Sequence, residues 1–258
     1  MEQGRIFEDP LALRILHEDA AGIARQAEER ASDRRMRIFI AVRTRFAEDS
    51  LAAACERGVC QLVVLGAGLD TYAYRGAMRD RLQIWEVDHP ATQAWKRQRL
   101  ADAGIGVPSN LTFAAVDFER ETLADGLAAA GCDPHVQSFF TWLGVVPYLT
   151  EEAIGSTLAF IANLPGGAQV VFDYADPPES LPAEMRAAHE RRAAHLAAAG
   201  EAFRSYFDAD AMRQKLMDLG FHEVEDLGTR QIAERYFPSR AASLPEKGGH
   251  VVRASHMS

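Results

Sequence analysis

The sequence predicts an α/β protein built on a doubly wound, mostly parallel sheet. Three observations predict it. Short apolar runs of strand length recur along the chain, each bounded by turn residues, as strands buried on both faces do. Helix-patterned segments separate these runs, and such alternation implies right-handed βαβ units. The first run ends in a glycine turn, Gly66-Ala67-Gly68, at the place where open α/β sheets bind ligands.

The elements follow in order. Helical patterning dominates from Pro10 to about Arg57; in "LALRILHEDAAGIARQAEERA" Leu11, Ile15 and Ile23 fall on one stripe, and a second helix covers 35–56. "CQLVVL" (60–65) is the first strand, "LQIWEV" (82–87) the second and "LTFAAV" (111–116) the third. "QSFFTWL" (137–143) is the fourth and "AQVVFDY" (168–174) the fifth, with helices over 91–103 and 151–163. Residues 176–200 break the rhythm with Pro177, Pro178 and Pro182, followed by an alanine-rich helix carrying His189 and His195. This stretch reads as an insertion over the carboxyl ends of the strands. Its prolines fix where it starts and its alanines offer little bulk, so 176–200 and the first helix are expected to form a movable lid. A further helix covers 209–219 and stops at Gly220. "FHEVEDLG" and "GHVVRAS" read as a terminal strand pair. The whole is expected to be one domain: a helical cap (1–57), a cofactor-binding core (58–175), the insertion (176–207) and the rest of the core (208–258).

The chain of 258 residues is 48% hydrophobic and 25% charged, enough to bury a full core. Its net charge of −9 repels phosphate backbones, so nucleic acid is not an expected partner. No apolar run is long enough to span a membrane. "MEQGRIFEDP" lacks the apolar centre of a secretory leader. Cys55, Cys60 and Cys132 show no C-x-x-C spacing and read as reduced thiols of a cytoplasmic protein, with no metal site. G-x-S-x-G, H-E-x-x-H and the phosphate-binding G-x-x-x-x-G-K-[ST] are all missing.

Gly66 and Gly68 let the backbone turn sharply and let a ligand approach. Glycines after a strand also arise for steric reasons alone, but the surrounding residues narrow the reading. Thr71 stands where a dinucleotide fingerprint needs its third glycine, and Asp70 in the turn disfavours a diphosphate and suits a cation or zwitterion. The second strand ends "EVDHP", where alternation puts Glu86 and Asp88 on one face. An acid about 20 residues after the first glycine suits the hydroxyls of a ribose. The third strand ends "AAVDF": Asp117 can accept from an adenine amino group while the next N–H meets a ring nitrogen. Together these ends make a nucleoside-binding edge. A nucleoside without phosphates points to S-adenosylmethionine, whose sulfonium favours carboxylates and aromatic faces.

"VVLGAGLDTYAYR", "WEVDHPATQAWKRQRL", "FFTWLGVVPYLT" and "RYFPSRA" together resemble the leucine carboxyl methyltransferase family. The closer likeness is to its bacterial branch of S-adenosylmethionine-dependent O-methyltransferases, related to polyketide O-methyltransferases, and it runs from "GRIFEDPLA" to "HVVRAS". The resemblance implies a Rossmann-like class I methyltransferase fold of seven strands, the last antiparallel. It implies that Gly66, Ala67, Gly68 and Asp70 pass under the methionine part of the cofactor. Asp88 would hold the ribose, with Glu86 as second candidate and Val87 between them. Asp117 and Phe118 would flank the adenine, and Arg43 in "AVRTRFAED" would pair with the cofactor carboxylate, Arg45 pointing elsewhere. Trp142, Leu143 and Tyr148 would line the site beyond the fourth strand. Two departures stand out. Leu143 replaces a glutamate of eukaryotic members, which argues against a protein C-terminal leucine as substrate, and Tyr72 stands where the bacterial branch often has arginine. Members also carry more residues ahead of "FEDPLA", so the N-terminus looks short.

Methyl transfer from a sulfonium is an in-line displacement, so the protein mainly positions the acceptor and excludes water. The expected acceptor is a carboxylate or hydroxyl of a small molecule. A carboxylate needs no base; a hydroxyl would use one such as His189, His195, Tyr174 or Asp173. No catalytic residue is assigned, and each histidine also reads as an exposed helix residue. Tyr206, Phe207, Trp85, Trp95 and Trp142 read first as packing. The alternatives are a nicotinamide-dependent oxidoreductase and a non-catalytic S-adenosylmethionine-binding protein.

Overall fold

The computed structural model describes residues 6–16, 19, 22, 23, 25, 34–118, 120–198, 200–239 and 246–256. Most of 17–33, within the expected first helix, lies outside the described residues, as do Gly4, Arg5, Arg240 and Ala241 of the family-like stretches. Contacts divide the chain into two compact units, 1–141 and 142–258. Seven strands form one sheet in the order β3-β2-β1-β4-β5-β7-β6.

In the first unit, helix α1 (Ala12–Leu16) is short, and Ile15 is its buried residue. Helix α2 (Arg34–Glu56) buries Val42, Phe46, Leu51, Ala54 and Cys55 along one stripe. Strand β1 (Gln61–Leu65) is buried at every position, as an uninterrupted apolar run requires. It pairs in parallel with β2 (Gln83–Asp88) on one side and with β4 (Ser138–Trp142) on the other. Strand β3 (Leu111–Ala115) pairs in parallel with β2. The strand order therefore reverses at β1, and the carboxyl end of β1 is the switch point at which such sheets bind ligands. Helix α3 (Pro90–Asp102) follows β2; Pro90 occupies its first position and the His89 ring accepts the Ala91 N–H. Helix α4 (Leu123–Ala129) starts at Thr122, whose hydroxyl accepts the Asp125 N–H. The expected strands are all present with ends shifted by a residue or so, and Cys60 lies just outside β1, exposed. Trp85 is buried and donates to the Ala130 carbonyl at 2.9 Å. Trp95, read from sequence as packing, is 47% exposed on the outer face of α3, under the Arg99 guanidinium.

In the second unit, helix α5 (Glu151–Ala162) is capped by Thr150 and carries Glu151 and Glu152 in its first turn, where the helix dipole favours them. Strand β5 (Ala168–Ala175) is buried almost throughout. The expected insertion follows it and contains helix α6 (Ala183–Ala198), which has no fully buried residue. Helix α7 (Ala209–Asp218), strand β6 (Glu223–Leu227), helix α8 (Thr229–Tyr236) and strand β7 (Gly249–His256) complete the unit. Strand β7 runs antiparallel to both β5 and β6, as expected of the last strand.

A polar network occupies the ends of β5, β6 and β7. The His250 ring lies between two carboxylates, Asp226 at 2.8 Å and Asp176 at 3.1 Å, and stacks on Tyr174, whose hydroxyl donates to Asp226. Asp176 also accepts the Gly248 N–H at 2.8 Å and the Lys247 ammonium at 3.1 Å. Lys247 reaches Asp208 as well, at 3.3 Å, and so bridges the two ends of the insertion. Burial alone would lower the pKa of His250, but the bonds to Asp176 and Asp226 outweigh it and push it up to about 9. Burial alone would raise Asp176; the bonds from His250, Gly248 and Lys247 hold it below the usual carboxylate range.

A histidine whose folded pKa is raised stabilises the fold fully below its ordinary value of 6.5, and that stabilisation is lost as pH rises through about 9. A shift of this size corresponds to about 3 kcal/mol. Denaturant unfolding is expected to show stability falling between pH 7 and pH 9.5, and a His250→Gln chain should lack that fall.

Candidate functional site

The glycine turn is built from backbone. Gly66 and Gly68 both have positive φ, 63° and 44°, which residues with a Cβ rarely adopt. The Ala67 N–H donates to the Val87 carbonyl at 3.1 Å, extending the β1–β2 pairing past the strand, and the Asp70 N–H closes the turn on the Ala67 carbonyl at 2.7 Å. The Asp88 carboxylate completes it. One oxygen accepts the Gly68 N–H at 2.6 Å and the other accepts the His89 N–H at 2.7 Å. Asp88 remains half-exposed, and each carboxylate oxygen keeps a further lone pair for a second donor. A Cβ added to Gly68 would find only the Gly66 carbonyl within 4 Å, at 3.9 Å, so the space over the turn is open.

The other candidates at this edge divide by burial. Asp117 is half-buried at the end of β3, with Arg120 3.5 Å from its carboxylate, and Phe118 beside it is 59% exposed. Arg43 is half-buried on α2. Arg45, two residues on, is exposed and pairs with Asp49 at 2.8 Å, pointing elsewhere as expected. Asp70 turns its carboxylate to the Tyr72 N–H at 2.7 Å, at the start of the short helix Tyr72–Arg75. Glu86, although two residues from Asp88, is fully buried and lies 2.5 Å from the Lys96 ammonium, itself 1% exposed. Burial pushes its pKa up to about 7, and the Lys96 charge offsets only part of that. Lys96 also donates to the Asp70 carbonyl at 2.7 Å.

Several residues that sequence reasoning passed over tie the N-terminal segment to this turn. Arg75 donates to the Glu48 carboxylate at 2.7 Å and to the Thr71 hydroxyl at 2.8 Å, and its guanidinium lies 4.7 Å over the Phe7 ring. Thr71 donates in turn to Asp9 at 2.6 Å. The Asp9 carboxylate accepts the Leu11 and Ala12 N–H groups at the start of α1. Burial raises the Glu48 pKa, against the opposing pull of Arg75. The i, i+4 spacing of Thr71 and Arg75 was the available signal; their partners lie far away in sequence.

In the second unit, Trp142 is buried against Phe172, with ring centroids 6.3 Å apart, and Leu143 is half-buried. Tyr148 packs on Phe203 at 5.3 Å. The four residues considered as bases differ sharply. Tyr174 is 1% exposed, and burial followed by the Asp226 charge pushes its pKa far up. Asp173 is buried and accepts the Gly144 N–H at 2.6 Å. His195 is exposed. His189 is not the exposed residue expected: it is half-buried, stacks on Phe203 at 5.3 Å and pairs with the Tyr206 hydroxyl at 2.8 Å. Burial and then the Arg192 charge lower its pKa. Phe207 is buried, as expected. Among the described residues no His, Cys, Asp and Glu cluster has metal-holding geometry, and no helix is long and apolar enough to cross a membrane.

The sheet order is that of class I methyltransferases. The fold matches magnesium protoporphyrin IX methyltransferase of Synechocystis PCC 6803, a structure with bound S-adenosylhomocysteine, at a TM-score of 0.50 and 14% identity; the match covers 93% of this chain and all of that one. An O-methyltransferase family protein of Burkholderia thailandensis matches at 0.51 and 12% identity over 84% and 60% of the two chains. The leucine carboxyl methyltransferase family model matches residues 1–162, and the chain belongs to that family. It is 34% identical over 189 residues to YktD of Bacillus subtilis, and 33% identical over 193 residues to a Mycobacterium avium protein. Both are named as S-adenosyl-L-methionine-dependent methyltransferases. Each match covers 72% of this chain but only 62% and 59% of the relatives' own lengths. The cofactor of the family is S-adenosylmethionine, and the residues around the glycine turn fit it.

Arg75 joins Phe7, Asp9, Glu48 and Thr71, so Arg75→Met is expected to release the start of the chain. Hydrogen exchange should speed up at 6–16 while the amides of β1 keep their protection.

Proposed function

We propose that the chain is an S-adenosylmethionine-dependent methyltransferase that methylates an oxygen of a small-molecule acceptor. The observation that supports this best is the Asp88 carboxylate, held by the Gly68 and His89 N–H groups beside an open glycine turn. Fixed in this way, it can accept both hydroxyls of a ribose without rearranging. The carboxylate at Asp117 and the exposed ring of Phe118 suit an adenine, one by hydrogen bond and the other by stacking. Arg43 suits the carboxylate of the methionine part, since a guanidinium matches a carboxylate in charge and shape. Glu86 is reserved for a buried ion pair, so Asp88 is the ribose acid in this reading. When bound, the cofactor supplies an electrophilic methyl group on sulfur. Family membership favours this reading over a nicotinamide enzyme, and the missing third glycine agrees.

The acceptor is proposed to be a small molecule with a carboxylate or hydroxyl. Leu143, where eukaryotic members have an acid, weighs against a protein C-terminal leucine. If the acceptor is a hydroxyl, the reaction needs a base, and His189, His195, Tyr174 and Asp173 stay the candidates. The proposed site keeps to the cytoplasm and involves neither nucleic acid nor membrane.

Calorimetry with S-adenosylhomocysteine tests the reading. A dissociation constant in the micromolar range is expected, about −8 kcal/mol. Asp88→Ala should weaken it roughly ten- to a hundredfold, the cost of leaving the ribose hydroxyls unpaired. No saturation at millimolar ligand would overturn the reading.

A further inference from the structure

Behind the glycine turn lies a buried cluster that the proposed function does not use. Lys96 projects from α3, and its ammonium meets the Glu86 carboxylate at 2.5 Å and the Asp70 carbonyl at 2.7 Å. Lys96 and Glu86 are 1% and 0% exposed. The second Glu86 oxygen has no hydrogen-bond partner among the described residues, and neither has the buried Tyr74 hydroxyl; the Lys96 ammonium lies 5.7 Å from the Tyr74 ring centre. The neighbours of Glu86 in register, Val64 on β1 and Phe113 on β3, carry no charge. The titratable groups acting on it are Lys96 from α3, Asp70 from the turn, Asp88 from its own strand and Tyr74 from the short helix.

An ion pair this deep is a poor source of stability, because removing both charges from water costs about as much as their attraction returns. Its placement suggests another role. Asp70, whose carbonyl Lys96 holds, closes through its own N–H the turn whose left-handed glycines form the ligand edge. We propose that Lys96 is a positioning residue for the cofactor turn, pinning the Asp70 carbonyl to the buried Glu86 carboxylate so that Gly66–Gly68 keeps its ligand-binding form. The inference rests on the cofactor reading above. Only ionised Glu86 balances the Lys96 charge. A protonated Glu86 leaves an uncompensated ammonium against the turn, and the turn then shifts away from its binding form.

Geometry and titration together make the effect measurable, since Glu86 changes charge at about pH 7. Affinity for S-adenosylhomocysteine should weaken about tenfold from pH 8 to pH 6, as expected for one linked proton. The part of the stability change that Glu86→Gln removes should move the other way, apart from the fall that His250 brings. An acid whose folded pKa is raised stabilises the fold below its ordinary value of 4.5, and this contribution is lost as pH rises through about 7. A purely structural pair would move affinity and stability together.

The experiment is calorimetric titration with S-adenosylhomocysteine at pH 6, 7 and 8, paired with denaturant unfolding at the same pH values. It uses the full chain and the variants Glu86→Gln, Lys96→Met and His135→Asn, the last an exposed histidine away from the turn. The unaltered chain should show the tenfold slope. Glu86→Gln should bind weakly with no slope, Lys96→Met should do the same if it folds, and His135→Asn should keep the slope. If Lys96→Met does not fold, the first two chains still decide the matter. Binding that is independent of pH in the unaltered chain, or a slope that survives Glu86→Gln, overturns the inference alone. Absence of binding at every pH overturns the cofactor reading, and the inference with it.

Discussion

The hydrogen bond from the Gly68 N–H to the Asp88 carboxylate sets the geometry of the sheet edge on which the candidate site is built. It joins residues from the ends of two neighbouring strands, and its acceptor is charged, which strengthens it relative to a neutral bond. The Val87 carbonyl holds Ala67 from the same side. With both contacts in place the chain must leave β1 through two left-handed residues, and only glycine does so without strain. The turn is therefore closed without a side chain covering it. One carboxylate fixes the shape of the edge and also provides its acceptor atoms.

The polar residues of the two units are distributed in the same manner. The middles of β1 and β5 are apolar and buried, and they supply the hydrophobic stabilisation. Buried charge gathers at strand ends: Glu86 with Lys96 near the end of β2 in one unit, and Asp176, Asp226 and His250 at the ends of β5 and β6 and the start of β7 in the other. Such groups contribute little net stability, yet they are demanding in geometry, because each unpaired member would cost several kcal/mol. Rigidity is thus concentrated where the chain leaves the sheet.

Much of this was legible in the sequence, and the reasons differ by residue. Strands β1 to β5 were legible because apolar runs of that length between turns have few other readings. The glycine turn and Asp88 were legible because their spacing is imposed by one strand, one helix and the next strand. Glu86 was read as the second candidate for the ribose because alternation puts it on the face of Asp88, but whether that face is open depends on the helix laid over it, which brings Lys96. Arg75, Thr71 and Asp9 were invisible for a related reason, since their bonds span up to 62 positions and no local period marks them. Trp95 and His189 show both directions of error. One large ring is outside because its side of α3 faces water, and one histidine is half-buried because Phe203 and Tyr206 return to meet it.

The bridge from Lys247 to both Asp176 and Asp208 has a consequence for how such a chain can change over time. It fixes the separation of the two points between which some thirty residues depart and return. A segment closed at its base in this way can be lengthened at small entropic cost, because closure depends only on the logarithm of its length. The segment touches the sheet edge at its returning end, where Ser205 bonds the Val146 carbonyl and Phe207 packs on Tyr174. Residues 177–202 can thus be exchanged, extended or recomposed as a cassette, while the strands and the glycine turn stay as they are.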